Sequence, residues 1–391
     1  MSDGGTPPGS FAGLIGFVRA RYATDGFIPL HAPVFGGNEA GYVAETIRST
    51  MVSSVGAFVD RFEADMAAYT GAGRAVAVVN GTSALHIALR LAGVGPGDLV
   101  ITQALSFVAT CNAISYCGAE PVFCDVDRAT MGLSPEAAEG WLSDHATLGA
   151  DGLCRTRLGG RVIRACVPMH SFGHPVRLAE LRAVCDRWAL VLVEDAAESL
   201  GSTYHGRHTG TFGRLGTQSF NGNKILTTGG GGMILTDAAL GARAKHLTTT
   251  AKVPHPYEYV HDEVGYNYRL PNLNAALGCA QLERLEAFVA AKRTLAAGYA
   301  SALAGQVEVM REPDGCRSNF WLNAVICDDR AMRDAMLAAT NAAGVMTRPI
   351  WALMTRLPMY AGALRGPLPM SEWLEARVVN LPSGVPPGAA S

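Results

Sequence analysis

Short apolar runs at 75–79, 99–103, 121–124, 163–168 and 189–194 alternate with helical stretches such as 83–92 and 178–188, and this alternation leaves the fold little freedom. Strands separated by helices pair in parallel, because each crossover returns the chain to the end of the sheet where the strands start, and the helices then cover both faces. The predicted class is therefore α/β, with a mainly parallel central sheet flanked by helices. A long apolar-periodic stretch at 273–304 predicts one connecting helix into a smaller C-terminal α/β portion, which carries a further helix at 331–343. The expected partition is a tail and helix over 1–27, a large domain over 28–270, and the connecting helix with the small domain over 271–391, closely packed because no low-complexity linker or repeat intervenes. Residues 1–10, rich in Gly and Pro, read as a frayed tail, and the Pro-rich end at 385–388 as disordered.

In a parallel sheet, ligands sit just outside the carboxyl ends of the strands, so polar residues that follow an apolar run carry the functional signal. Asp195 closes the run Val191-Leu192-Val193-Glu194, where it reads either as a site carboxylate or as the N-cap of a helix at Ala196-Ala197. Lys224 lies between Ser219-Phe220-Asn221-Gly222-Asn223 and the glycine run Gly229 to Gly232. The chain has 32 basic residues and uses lysine only at 224, 245, 252 and 292. Burial can turn an ammonium into a neutral, nucleophilic amine, which a guanidinium cannot become, so Lys224 is a candidate Schiff-base lysine. A lysine and a strand-end aspartate are what pyridoxal phosphate (PLP) requires: an amine for its aldehyde and an anion for its ring nitrogen. The turn Asn80-Gly81-Thr82-Ser83 follows a strand and opens a helix, so its free amides and the Thr82 and Ser83 hydroxyls suit a phosphate, as ordinary helix caps also do. Ser219 could donate from the opposite side. Phe107, past the strand at 99–103, reads as a ring-stacking aromatic or as core.

The order and wording of these motifs resemble the sugar aminotransferases of PLP fold type I named after the DegT, DnrJ, EryC1 and StrS proteins, from about residue 28 to 382. The resemblance implies that Asp195 pairs with the pyridine nitrogen, Lys224 holds the cofactor, Ser219, Gly81 and Thr82 bind phosphate, and Phe107 stacks on the ring. It also implies a homodimer with shared sites, in which Asn267, within Gly265-Tyr266-Asn267-Tyr268-Arg269, reaches the partner's phosphate. Glu198 stands where many members carry glutamine or histidine, near the cofactor's phenolic oxygen. The related dehydrases replace the lysine with histidine, so Lys224 argues for amino transfer. Segments at 28–35, 52–56, 247–255 and 348–351 resemble the branch that makes 4-amino sugars for legionaminic acid. That branch implies glutamate as donor and UDP-2-acetamido-4-keto-2,4,6-trideoxyglucose as acceptor, with a GDP-linked or 3-keto sugar as runner-up. His31, Lys252 and Arg348 are the candidate contacts to its phosphates or hydroxyls.

Composition narrows the remaining classes. A net charge of −2 and the absence of a basic stripe exclude a nucleic-acid footprint, and no apolar run reaches membrane-spanning length, so a cytoplasmic enzyme is expected. The nine cysteines include no Cys-x-x-Cys pair and the ten histidines show no ligand spacing; reduced core thiols and no metal are predicted. Gly229 to Gly232 lacks the spaced pattern of a dinucleotide loop and precedes a strand-like segment, which disfavours an oxidoreductase.

Overall fold

Seven strands form the central sheet of the computed structural model, which describes residues 11–389; the tail expected at 1–10 lies outside them. In chain order these are β1 (Arg74–Val78), β2 (Leu99–Gln103), β3 (Glu120–Cys124), β4 (Ile163–Val167), β5 (Val191–Asp195), β6 (Leu215–Ser219) and β7 (Gly232–Thr236). Across the sheet they run β3-β2-β4-β5-β6-β7-β1. β7 pairs antiparallel with both its neighbours, and the other pairs are parallel. β1, although first in the chain, is therefore an edge strand whose partner in the sheet is the last strand to be made.

Alternate residues of each strand serve opposite layers, as the two-residue period of a strand demands. Val100, Val193 and Ile234 face helices α4 (Gly81–Leu91), α5 (Val108–Tyr116) and α8 (Ala238–Thr248). Leu99, Ile101 and Leu192 face α6 (Pro135–His145) and α7 (Leu178–Arg187). Local chemistry starts these helices where they begin: Asn80 accepts the Ser83 amide at 2.7 Å, and Ser134 and Asp237 cap α6 and α8 in the same way.

The sequence reading missed β6. Its residues, Leu215-Gly216-Thr217-Gln218-Ser219, hold one large apolar side chain, yet the first four are buried. Gly216 is there for space: a Cβ would sit 2.0 Å from the Gly210 carbonyl oxygen. The single long helix expected at 273–304 is two, α9 (Asn272–Leu282) and α10 (Leu285–Ala302). The break falls at Glu283-Arg284, where the Glu283 carboxylate collects Asn38, Tyr42 and Arg61 from the helices α2 (Glu39–Arg48) and α3 (Ala57–Thr70) and their approach. α9 stays with α2 and α3, and α10 turns toward the C-terminal unit.

That unit is an antiparallel sheet of β8 (Glu308–Val309), β9 (Asn323–Ile326), β10 (Arg348–Pro349) and β11 (Val378–Leu381), ordered β8-β9-β11-β10, with α11 (Arg330–Ala342) against it. Its core takes Leu14 and Val18 from α1 (Ala12–Tyr22), Leu295 and Tyr299 from α10, and Met336 from α11. The segment from residue 28, read from the sequence as the start of the large domain, runs along this unit: Ile28 bridges to Val345, and the Ser383 amide donates to the Leu30 carbonyl at 2.7 Å. The Pro-rich end is likewise not loose. Val385 packs on the main core and residues 386–389 close a turn. Eight of the nine cysteines are buried and all are free thiols.

Candidate active site

The carboxyl ends of β1, β2, β5 and β6 bring most of the sequence-selected residues to one side of the sheet. Asp195 is the last residue of β5 and Ser219 the last of β6, while Asn80 and Phe107 lie just beyond β1 and β2. The glycines set how closely these ends approach. A Cβ on Gly81 would meet the Ser219 Cβ at 2.8 Å, and one on Gly232 would meet the Asn80 backbone at 2.5 Å. The last glycine of the 229–232 run thus lets β7 lie against the turn that opens α4, and Gly81 lets Ser219 share that turn. Beside this turn, at the positive end of α4, lies a recess of about 280 Å³ lined by Asn80, Thr82, Ser83, His86, Tyr116 and Tyr268.

Lys224 sits in the β6–β7 loop, whose base is fixed by the fully buried Phe220: its amide donates to Gly231 and its carbonyl accepts from Thr228. The amine Nζ lies 3.4 Å from Glu198 Oε1 and 3.9 Å from the centre of the Trp321 ring. A cation over an indole face is held by the ring's quadrupole, so Trp321 covers one side of the amine. The indole N–H in turn donates to the Asn223 carbonyl at 2.7 Å, joining the ring to the residue before the lysine.

Asp195 is buried and accepts the Thr110 hydroxyl at 2.6 Å and the Ala197 amide at 3.2 Å. The second bond is cap-like, but turns rather than a helix follow, so the helix-cap reading does not account for this aspartate. Burial pushes its carboxyl above the usual range, against the pull of the Thr110 and Ala197 donors and of Lys224 and His170. Among the described residues no cation lies within ion-pair distance of it. Behind it, Glu194 is buried too, yet its carboxyl is held below the usual range: burial opposes this, but His170 and the amides of Gly210 and Gly213 outweigh it.

Glu198 accepts the Phe172 amide at 2.8 Å, and Phe172 takes the left-handed φ of 58° that turns this amide inward. Burial lifts the Glu198 carboxyl to about 7 despite Lys224 and the Phe172 amide. An acid whose folded value is raised favours the folded state below its unfolded value, and that benefit is lost as pH rises through the folded value. We expect the cofactor-free protein to lose stability between pH 4.5 and about 7, by about 3 kcal/mol for this group alone. Glu198→Gln should flatten that part of a pH series of denaturant midpoints; an unchanged slope would refute the assignment.

Of the other candidates, Phe107 is 49% exposed at the start of α5, free to meet a ligand rather than part of the core. Asn267 is exposed, its side-chain oxygen bound by Arg269. Both His31 ring nitrogens are buried without a partner. Two residues are not brought to the lysine. Lys252 is exposed on a hairpin over Tyr259, and the exposed Arg348 is bound to Asn341 and the Thr347 carbonyl on the C-terminal sheet. Sequence reasoning missed Thr110, Phe172 and Trp321. Thr110 had a trace, in the Phe-Val-Ala-Thr wording; the other two had none.

The sequence pattern of the DegT/DnrJ/EryC1/StrS aminotransferase family matches residues 34–386. EpsN of Bacillus subtilis, whose assigned name proposes a pyridoxal phosphate-dependent aminotransferase, is 37% identical over 340 residues, 86% of this chain and 84% of that protein. GDP-perosamine synthase of Vibrio cholerae is 35% identical over 360 residues, 91% of this chain and 94% of that protein. Among solved structures, the aminotransferase TlmJ from Streptoalloteichus hindustanus superposes with a TM-score of 0.82 at 31% identity, over 92% of this chain and 94% of that one.

Proposed function

The chain belongs to the DegT/DnrJ/EryC1/StrS aminotransferase family, a family of PLP-dependent sugar aminotransferases, and from that premise we propose that it transfers an amino group from glutamate to C4 of a nucleotide-linked 4-keto-6-deoxy sugar. UDP-2-acetamido-4-keto-2,4,6-trideoxyglucose is the acceptor we assign, for surface glycan or nonulosonic acid synthesis by a cytoplasmic homodimer. The observation that carries the reading is the lysine amine held between a buried carboxyl and an indole, with a second buried carboxyl, Asp195, close enough to feel its charge.

The residues present fit PLP. Asp195 is a buried carboxylate lacking a cation, which a protonated pyridine nitrogen supplies. Gly81, with no Cβ to push Ser219 away, brings the Ser219 hydroxyl to the amides of α4's first turn, where with Thr82 and Ser83 it can hold a phosphate. Phe107 is free to stack on the ring. When bound, PLP supplies the electron sink. The chain's share is orientation and proton handling: Lys224 would hold the cofactor, and as a free amine its Nζ would be the base that moves the substrate's proton. Glu198, 3.4 Å from that amine, is the neighbour able to take or return one. Asn267, exposed on its own subunit, is the group we assign to the partner's phosphate. Lys252 and Arg348, also exposed, are assigned to the nucleotide.

A second reading, a GDP-linked acceptor, is favoured by the relatives named GDP-perosamine synthase, which cover 91% of this chain. Glutamate with a panel of UDP- and GDP-linked 4-keto sugars and a 3-keto isomer separates the readings, with products identified by mass spectrometry and NMR. The expected result is a 4-amino UDP sugar. Preference for a GDP sugar would replace the acceptor and keep the reaction; no amino product from any member of the panel would sink the reaction itself.

A further inference from the structure

Lys292 is one of the four lysines and the only one fully buried among the described residues. It projects from α10 with no carboxylate at ion-pair distance; its ammonium donates to the Trp321 carbonyl at 3.1 Å and to the Ser383 carbonyl. Burial lowers this amine to about 7, and with carbonyl partners alone it joins two distant stretches of backbone. On one side it fixes Trp321, whose ring covers the Lys224 amine. On the other it fixes Ser383, whose amide donates to the Leu30 carbonyl, with Gly384 lying against the Ala32 backbone next to His31.

His31, so placed, is the anomaly. Buried polar atoms in native proteins are bonded with few exceptions, and each exception needs a reason. Both ring nitrogens of His31 are shut from solvent with no partner. Burial, and then the charges of Lys292 and Lys224, hold the ring well below the usual range for protonation, so it is neutral at physiological pH. A neutral imidazole has one donor and one acceptor; an ammonium satisfies only its acceptor and a phosphate only its donor, whereas sugar hydroxyls, which both donate and accept, satisfy the two ring nitrogens together.

We infer that His31, held by the Lys292–Ser383–Leu30 connection, is a substrate-positioning residue that hydrogen-bonds the sugar ring of the acceptor. This rests on the aminotransferase reading and adds to it the half-reaction in which the residue acts. The test splits the two halves in the PLP-loaded enzyme: bleaching of the visible cofactor band by glutamate alone reports the donor half, and KM for the best nucleotide sugar of the panel reports the acceptor half. His31→Leu should raise the sugar KM roughly ten- to hundredfold, the effect of leaving a sugar hydrogen bond unmade, and slow the glutamate step far less. Calorimetric binding of UDP-N-acetylglucosamine, an unreactive analogue with a hydroxyl at C4, should weaken in parallel. His31→Gln, which keeps a donor and an acceptor, should recover part of both losses. Equal slowing of both halves, or unchanged sugar KM and analogue affinity, would overturn the assignment. Failure of glutamate to bleach the unaltered protein would instead count against the aminotransferase reading.

Discussion

Lys224→Ala yields a folded protein that binds PLP but does not turn over. The cradle and Asp195 remain intact, so the cofactor is retained without a covalent link, while the amine that moves the proton is gone. The loss of activity should exceed roughly a thousandfold, as expected when the residue that is both nucleophile and base is removed. Borohydride treatment followed by peptide mass spectrometry is the direct check: the unaltered protein should carry the cofactor on the peptide containing Lys224, and the variant should carry it nowhere. Fixation on Lys292, the other shielded lysine, would show that the wrong amine has been assigned. Substantial residual turnover would have the same force.

Asp195→Asn has the second largest expected effect, and a different profile. The amide is nearly the shape of the carboxylate and still accepts a bond from Thr110 or Ala197, so the fold survives and the phosphate contacts are untouched. What disappears is the negative charge that keeps the ring nitrogen protonated. We expect kcat to fall by roughly two to four orders of magnitude, within the range seen when one electrostatic partner of the reacting group is removed, with a much smaller change in cofactor affinity measured by fluorescence titration. If Asp195 were only a local backbone cap, the variant would lose stability and keep its kcat. That outcome would demote it.

The parts of this site that were legible in the sequence are those whose residue type is itself unusual. A lysine in an arginine-using chain and an acid at the end of an apolar run announce themselves, and Gly81 and Ser219 could be read from the wording of their motifs. What could not be read depends on contacts between distant positions. The Thr110 hydroxyl bonds an aspartate 85 positions away, and the Trp321 indole reaches a carbonyl 98 positions away. Neither threonine nor tryptophan carries a local pattern that reveals such a partner. β6 escaped for another reason. A strand buried on both faces is ordinarily recognised by a run of large apolar side chains, but β6 lies so close to the Gly210 turn that one position must be glycine, and the residues that follow it are polar. The helix expected at 273–304 was right in periodicity and wrong in continuity, since its break at Glu283-Arg284 answers to side chains from α2 and α3 rather than to a proline or glycine.

The position of β1 at the sheet's edge, where β7 is its one partner strand and a bridge to Arg269 covers its far end, bears on how the protein is born. During synthesis the first strand leaves the ribosome long before its partner exists, and β2 to β6 can pair among themselves while β1 waits with an open edge. Half of the turn we assign to the phosphate waits with it, because Gly81 meets Ser219 and Asn80 meets Gly232 only after the β6–β7 hairpin is in place. Pairings of such long sequence separation form slowly and leave intermediates prone to association. A nascent or truncated chain ending before β7 would thus hold most of its sheet but leave the turn at Gly81 unsupported, so that its cofactor affinity should fall, and tight capture of the cofactor reports closure of the β1–β7 edge.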